Sequence, residues 1–259
     1  MSEDLALSKI RRYELKYTVS EEQAEEIKEY VQNICSIDKH VPEGESGYTV
    51  NNLYFDTHDL RFYHDTKHKK LTRFKPRARY YGMKAMDYIW PEIKYRHGGI
   101  IWKKRFSLPV EQWPDMFYPQ LSDRKKPDIK PQMDRFDEVV HWFGAEPVLH
   151  VRYFRQPYVT ELETYGRVTF DRQLSFRPVH GSISLDYNES DMLYYDDAVT
   201  TLEEHSPVLL EIKVETLVPI WAIELIRIFN LSQRGFSKYC YGIDFLKDRR
   251  PNNRKSILV

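Results

Sequence analysis

The sequence predicts an α+β domain in which predominantly antiparallel strands form a barrel or a sandwich, accompanied by a few helices. Two observations support this prediction. Strand-like segments of alternating character are numerous, whereas helical segments are few and short. The 259 residues also contain only 10 glycines and no convincing linker, so one domain is expected. With 41% hydrophobic residues the chain can bury a core, and its 30% charged residues must serve some purpose.

The first elements are a strand and a capped helix. The segment Arg12–Val19 alternates like a strand. Ser20 follows with Gln23 three residues later, the arrangement of a capping box. The run Glu21–Cys35 then places its apolar residues at helical spacing. The segment Leu60–Lys70, which mixes His, Lys and aromatic residues, is predicted to be a solvated loop.

The remaining elements are seven strands and four helices. Strands are predicted at Tyr48–Phe55, Leu71–Tyr80, Tyr88–Arg96, Ile100–Leu108, Val148–Thr160, Gly166–Phe176 and Pro207–Glu215. Helices are predicted at Pro109–Phe117, at Pro131–Phe143, from Pro219 to before Gly235, and from Ser237 towards Lys247.

One face of most predicted strands is charged. Residues i and i+2 of a strand point the same way, so Glu211 and Lys213 oppose Ile212. A solvated sheet face explains any single strand, but such faces normally mix Ser, Thr, Gln and Asn with charges. Repetition of Arg and Lys instead favours a closed sheet with a charged lumen. The other sets are Arg12/Glu14/Lys16, Lys75/Arg77/Arg79, Glu92/Lys94/Arg96, Lys103/Arg105, Tyr153/Arg155 and Arg167/Thr169/Asp171.

A lumen lined by Arg and Lys needs counter-charges, because buried like charges repel and lose hydration. Glu14, Glu92 and Glu211 can pair with some cations, and a bound polyanion can neutralise the others. The arginine fork binds phosphate oxygens bidentately. A carboxylate can also bind Mg²⁺ or Mn²⁺ that contacts phosphates, so Glu-x-Lys places a metal ligand beside a phosphate ligand.

The chain resembles the triphosphate tunnel metalloenzymes, and more closely their polyphosphate-polymerase (VTC) branch. This resemblance implies an eight-stranded antiparallel β-barrel open as a tunnel, with helices packed outside. It covers residues 1–259 as one domain, with a flexible tail from about residue 248. The segments that carry it are Arg12–Tyr17, Tyr54–Asp56, Arg77–Tyr81, Glu92–Lys94, Lys103–Arg105, Arg167–Asp171, Glu211–Lys213 and Phe236–Tyr239.

The resemblance also implies an activity, namely transfer of the terminal phosphoryl group of ATP onto a polyphosphate chain with Mn²⁺ or Mg²⁺. Glu211 is the leading metal ligand; Glu14 and Glu92 are either supporting ligands or partners that orient Lys16 and Lys94. The implied phosphate ligands are Lys16, Arg77, Arg79, Lys94, Lys103, Arg105, Tyr153, Arg155, Arg167, Lys213 and Lys238. Those implied in catalysis are Lys16, Arg77, Arg79, Lys94, Arg155, Arg167 and Lys238.

Three other functions stay open at this point. They are a tunnel hydrolase acting on triphosphate or a nucleoside triphosphate, a non-catalytic polyphosphate-binding module and, least favoured, a nucleic-acid-binding domain. Equal numbers of basic and acidic residues, 39 each, argue against nucleic acid as a partner. P-loop, Rossmann and His-Glu-x-x-His motifs are absent from the sequence.

The sequence also predicts a cytoplasmic location. The N-terminal residues lack the apolar core of a signal peptide, and no run approaches the ~20 apolar residues needed for a membrane span. Cys35 and Cys240 are expected to be small buried residues in a reducing compartment. A membrane-protein partner and the oligomeric state stay open.

Overall fold

The computed structural model describes residues 13–98, 100–117, 134–160, 166–195, 207–215, 218–233 and 235–248. Arg12 and the tail predicted to be flexible lie outside these residues. Every pairing with a given register is antiparallel, which confirms the α+β class. None of the helices in the described ranges is long and apolar enough to cross a membrane.

Eight of the eleven strands in the described residues agree with the predicted ones to within a few residues, and the three short ones, at Cys35–Ile37, Leu108–Pro109 and Leu193–Tyr194, were not predicted as separate strands. The strands are β1 Tyr13–Val19, β2 Cys35–Ile37, β3 Tyr48–Asp56, β4 Thr72–Tyr81, β5 Tyr88–His97, β6 Ile100–Arg105, β7 Leu108–Pro109, β8 Glu146–Thr160, β9 Gly166–Pro178, β10 Leu193–Tyr194 and β11 Val208–Val214. The helices are α1 Glu21–Gln32, α2 Arg61–Lys67, α3 Asp134–Trp142, α4 Ile220–Ile228 and α5 Lys238–Asp248.

Eight strands form the main path of the sheet, in the order β1-β11-β9-β8-β3-β4-β5-β6. The predicted strand number is therefore found, while closure of these strands into a tunnel stays a prediction. The short strands β2, β7 and β10 pair at the side with β8, β5 and β9.

The chain divides into two compact units. The first contains Met1–Thr49, Tyr153–Leu174 and Tyr194–Phe236, and the second contains Val50–Arg152, Ser175–Leu193 and Ser237–Val259. The long strands β8 and β9 contribute residues to both units. The expectation of one tunnel domain stays a prediction.

In the first unit, α1 packs on the apolar face of β1, β9 and β11. Ala24, Ile27 and Val31 are buried in one cluster with Val168 and Ile212, at the spacing that predicted the helix. The Gln23 amide donates to the Ser20 hydroxyl oxygen at 3.1 Å, as in a capping box. In a capping box the side chain of Gln23 would also bond back to the backbone amide of Ser20. Here the side-chain amide of Gln23 donates instead to the Phe229 carbonyl at 2.9 Å.

In the second unit, two segments differ from the prediction. The segment Leu60–Lys70, predicted to be a loop, contains α2, and Phe62 and Tyr63 of this helix are buried. The helix can begin here because the side chain of Asp56 accepts hydrogen bonds from the backbone amides of Phe62 and Tyr63. The segment Pro109–Phe117 forms two short 3₁₀ turns rather than one helix, with Pro114 starting the second. Proline has no amide hydrogen and its ring blocks the preceding turn, which explains the break.

Candidate functional site

The first basic face lies on neighbouring strands of the first unit. Lys16 lies opposite Glu211, and Lys213 lies opposite both Glu14 and Arg167. Directly opposed residues share a face of an antiparallel sheet, so these side chains form one surface. We call Lys16, Arg155, Arg167, Glu211 and Lys213 the first basic face. The alternation predicted for these strands is thus reproduced across three of them.

Glu211 occupies a position between two ammonium groups. Its carboxylate oxygens lie 3.2 Å from Lys16 Nζ and 2.6 Å from Lys213 Nζ, and its side chain is 12% exposed. These two cations favour the ionised carboxylate, which is the form that binds a divalent cation. Within the described ranges, His, Cys, Asp and Glu form no group of three or more that could hold a metal. A metal at Glu211 would therefore take further ligands of another kind, such as phosphate oxygens or water.

Arg155 forms a bidentate salt bridge with the buried carboxylate of Asp171. Its Nε and Nη2 donate to the two oxygens of Asp171 at 2.7 and 2.8 Å, and its guanidinium lies 5.2 Å from the centre of the Tyr153 ring. Burial alone would lower the pKa of Arg155, but Asp171 holds it well above its ordinary value. Arg155 therefore carries a fixed charge in a fixed orientation. Its assignment as a phosphate ligand, like that of Tyr153, stays a prediction.

Arg167 is held by Asp38, which follows β2, and by Tyr48, the first residue of β3. Its Nη2 lies 3.0 Å from Asp38 Oδ2 and 3.2 Å from the Tyr48 hydroxyl oxygen. Burial would raise the pKa of Asp38, but hydrogen bonds from His40 and the charge of Arg167 lower it. Arg167 Nε is buried and has no hydrogen-bond partner in the described part of the chain. Unpaired buried donors of this kind are uncommon in folded proteins.

The second basic face lies on β4, β5 and β6 of the second unit. Glu92 lies opposite Arg77 and Arg105, and Lys94 lies opposite Lys75 and Lys103. The row of three lysines places like charges directly across from one another, which destabilises a sheet until an anion neutralises them. We call Arg77, Arg79, Glu92, Lys94, Lys103 and Arg105 the second basic face.

Glu92 is the centre of this face. It is 1% exposed, it pairs with Arg77, and its oxygens lie 3.9 Å from Arg79 Nη2 and 3.7 Å from Lys103 Nζ. Burial alone would raise the pKa of Glu92, but Arg77, Arg79 and Lys103 hold it well below its ordinary value. The assignment of Glu92 as an orienting partner or as a metal ligand stays a prediction. The cations that it contacts are Arg77, Arg79 and Lys103.

Two side chains of β3 complete the orientation of the arginines. The Tyr54 hydroxyl accepts from Arg77 Nη1 at 2.9 Å, and Asn52 Oδ1 accepts from Arg79 Nε at 2.9 Å. Asn52 and Tyr54 share one face of β3, since they lie opposite Arg79 and Arg77. Sequence reasoning did not assign them, although their i, i+2 spacing beside a basic strand is the signal that could have found them.

Lys238 stands at the start of α5. The preceding residue, Ser237, accepts a hydrogen bond from Lys75 Nζ at 3.0 Å and another from the Cys240 amide at 3.4 Å. The first turn of α5 is thereby attached to a strand of the second basic face. Lys75 had no assigned function, and it contributes here by holding the residue next to Lys238.

Comparison with known proteins places the chain in context. The VTC domain family model matches residues 11–247. Similar solved structures include a putative adenylate cyclase from Bacillus halodurans, with 13% identity, 86% of this chain and 92% of that chain covered, and a TM-score of 0.44. A putative adenylyl cyclase from Hippeastrum, described as having a dominant triphosphatase activity, has 14% identity, coverage of 90% and 96%, and a TM-score of 0.47.

A third similar structure is the capping enzyme triphosphatase of Mimivirus. Its identity to this chain is 12%, the alignment covers 88% of this chain and 92% of that one, and the TM-score is 0.35. No significant match was found among curated proteins.

Proposed function

Since this chain belongs to the VTC domain family, matched over residues 11–247, we propose that it is a metal-dependent phosphotransferase. It moves the terminal phosphoryl group of ATP onto a polyphosphate chain. The observation that carries the proposal is that arginines and lysines cover a sheet face in each unit, and that carboxylates hold them in fixed orientations. Such faces suit a ligand with many regularly spaced phosphates.

Phosphoryl transfer requires alignment and charge neutralisation more than covalent help from the protein. Glu92, Tyr54 and Asn52 hold Arg77 and Arg79 before any ligand arrives. Preorganised side chains lose less rotamer freedom when they bind, so their donors are available to phosphate oxygens at a lower entropic cost. Lys94 and Lys103 add two more positive charges to the same face.

Glu211 is the residue that we propose to hold Mn²⁺ or Mg²⁺. When bound there, the ion would draw negative charge from the phosphate oxygens and weaken the bond to the leaving group. Lys16 and Lys213, which contact the two oxygens of Glu211, keep the carboxylate ionised and lie close enough to contact the same phosphates. Glu14, opposite Lys213, remains a candidate supporting ligand.

The test is incubation of the purified protein with ATP and Mn²⁺, with and without a short polyphosphate primer, followed by separation of products by chain length. A phosphate ladder with release of ADP is the expected result. Orthophosphate without a ladder would replace the proposal with a triphosphate hydrolase. Tight polyphosphate binding without turnover would replace it with a binding module.

Polyphosphate affinity should fall as the pH rises through the pKa of Lys103. The Lys103 side chain is 45% exposed, and partial burial together with the neighbouring charges of Arg77, Arg79 and Arg105 lowers this pKa to about 8, against the opposing effect of Glu92. A lysine with a lowered pKa is charged below that value and neutral above it. We therefore expect affinity to fall about threefold between about pH 7 and about pH 9, because one charge-assisted contact is lost.

The matched control for this titration is Lys103→Arg, which keeps its charge at every pH used. Ionisation of the ligand changes equally for both proteins, so the ratio of their affinities isolates the lysine. Calorimetric titration of both proteins with polyphosphate across the pH series measures this ratio. Parallel pH curves for wild type and Lys103→Arg would show that Lys103 does not contact the phosphates.

A further inference from the structure

Asp56, the last residue of β3, has a fully buried carboxylate. Its hydrogen-bond partners belong to the segment that directly follows β3 and to α5. Thr57 and Phe62 donate their amides to Oδ1, and Tyr63 donates its amide to Oδ2, each at 2.8 Å. Oδ2 also accepts a hydrogen bond from the Tyr239 hydroxyl. One side chain thus fastens the first turns of α2 and α5 to the same point. The proposed phosphotransfer chemistry does not use Asp56 directly.

Tyr239 connects this carboxylate to two proposed phosphate ligands. It follows Lys238 in the chain, and its ring stacks on Tyr54 with centroids 5.0 Å apart and planes inclined by 23°. The Tyr54 hydroxyl in turn accepts from Arg77 Nη1 at 2.9 Å. Contacts therefore run without a gap from Asp56 through Tyr239 to Lys238 on one side and to Arg77 on the other.

We propose that Asp56 and Tyr239 are positioning residues that set Lys238 and Arg77 at a fixed separation for one phosphate chain. The inference rests on the proposed function, since it concerns the phosphates that these two cations bind. A helix end frays unless its first turn is held, and Lys238 is the first residue of α5. A displacement of about 1 Å in a catalytic group is enough to lower a rate strongly.

The same two helices have a second connection farther from Lys238. The Tyr63 hydroxyl donates to Asp244 Oδ1, and Lys67 Nζ lies 2.9 Å from Asp244 Oδ2. Asp244 lies more than one helical turn beyond Tyr239. Tyr63→Phe therefore removes a tyrosine hydroxyl that links α2 to α5. Tyr239→Phe removes one that links β3 to α5. Only the second of these hydroxyls belongs to a residue that contacts or adjoins a proposed phosphate ligand.

The experiment compares Tyr239→Phe with Tyr63→Phe in the full chain. Each variant keeps its ring and loses one tyrosine–aspartate hydrogen bond. The thermal unfolding midpoint should fall more in Tyr239→Phe, because Asp56 is fully buried whereas the Asp244 side chain is 34% exposed, so affinities are compared well below both midpoints. We expect Tyr239→Phe to weaken tripolyphosphate binding about tenfold and to lower kcat. Tyr63→Phe should leave the affinity within about twofold of wild type.

A double-mutant cycle with Lys238→Ala separates positioning from general stability. If Tyr239 acts through Lys238, its substitution should change the affinity far less when Lys238 is already alanine. Tyr54→Phe, which keeps the stacked ring and removes the hydroxyl bound to Arg77, tests the other branch in the same way and is available if Tyr239→Phe does not fold.

Three outcomes would overturn the inference. Unchanged affinity in Tyr239→Phe and Tyr54→Phe would show that the contacts do not position the ligands, and equal losses in Tyr239→Phe and Tyr63→Phe would show a stability effect alone. Failure of the wild-type protein to bind tripolyphosphate would overturn the proposed function first, and this inference with it. That last result is seen before any variant is measured, so the two failures are distinguishable.

Discussion

Glu211→Gln is expected to reduce metal-dependent turnover about a hundredfold or more while the protein remains folded. Glutamine has the same size as glutamate, and its one carbonyl oxygen can still accept a hydrogen bond from Lys16 or from Lys213, which contact different oxygens of Glu211 at 3.2 and 2.6 Å. It has no negative charge, so it binds a divalent cation poorly. Turnover at saturating ATP over a series of Mn²⁺ concentrations measures the effect, and circular dichroism checks the fold.

Glu21→Gln is the matched control. Glu21, on α1, pairs with Arg172 at 2.9 Å, and it too is a carboxylate held by a basic side chain of the first unit. Arg172 lies on the face of β9 opposite that of Arg167, so this pair belongs to the helix-covered side of the sheet. Its loss should leave turnover unchanged. Undiminished turnover in Glu211→Gln would mean that the metal is held elsewhere.

Arg77→Ala, Arg79→Ala and Arg167→Ala are each expected to weaken polyphosphate binding at least about tenfold. Each removes a guanidinium whose orientation is set by other side chains before the ligand binds. The Arg167 side chain is 25% exposed, and Asp38 and Tyr48 hold it through Nη2. Calorimetric titration with polyphosphate of defined length measures the change.

The three substitutions should differ in stability. Arg77→Ala and Arg79→Ala each remove a cation from the buried carboxylate of Glu92, and an under-compensated buried charge is strongly destabilising. Arg167→Ala leaves Asp38 with its hydrogen bonds from His40, so its thermal unfolding midpoint should change less. The affinity measurement must therefore be made well below the unfolding midpoint of each variant.

Arg172→Ala is the control for the arginine series. Its guanidinium is bound by Glu21 and Glu25 of α1, on the other face of β9 from Arg167. Removing it changes the net charge as the other three substitutions do, so it corrects for long-range electrostatics. Wild-type affinity in all three test variants, or an equal loss in Arg172→Ala, would contradict the assignment of the basic faces to phosphate binding.

Local sequence patterns were enough to predict most of the strands and helices and the apolar face of each. A period of two residues requires that Glu211 and Lys213 lie on one side of β11 and Ile212 on the other, whatever the neighbouring strands are. The helical spacing of Ala24, Ile27 and Val31 likewise determines which side of α1 is buried. These are local properties, and a window of about ten residues contains all the information that they need.

The tertiary structure alone decided which partner holds each cation. These pairings depend on strand order and register, which the alternation within one strand does not specify. They join Asp171 to Arg155, Asp38 to Arg167, and Glu92 to the arginines of β4. Whether Glu92 also orients Lys94 stays a prediction. Neighbours along one strand face lie about 7 Å apart, whereas a residue directly across the ladder is closer. Both kinds of neighbour take part, since Glu211 pairs with Lys16 across the ladder and with Lys213 on its own strand. The identity of the cross-strand partner is settled only when the strands have paired.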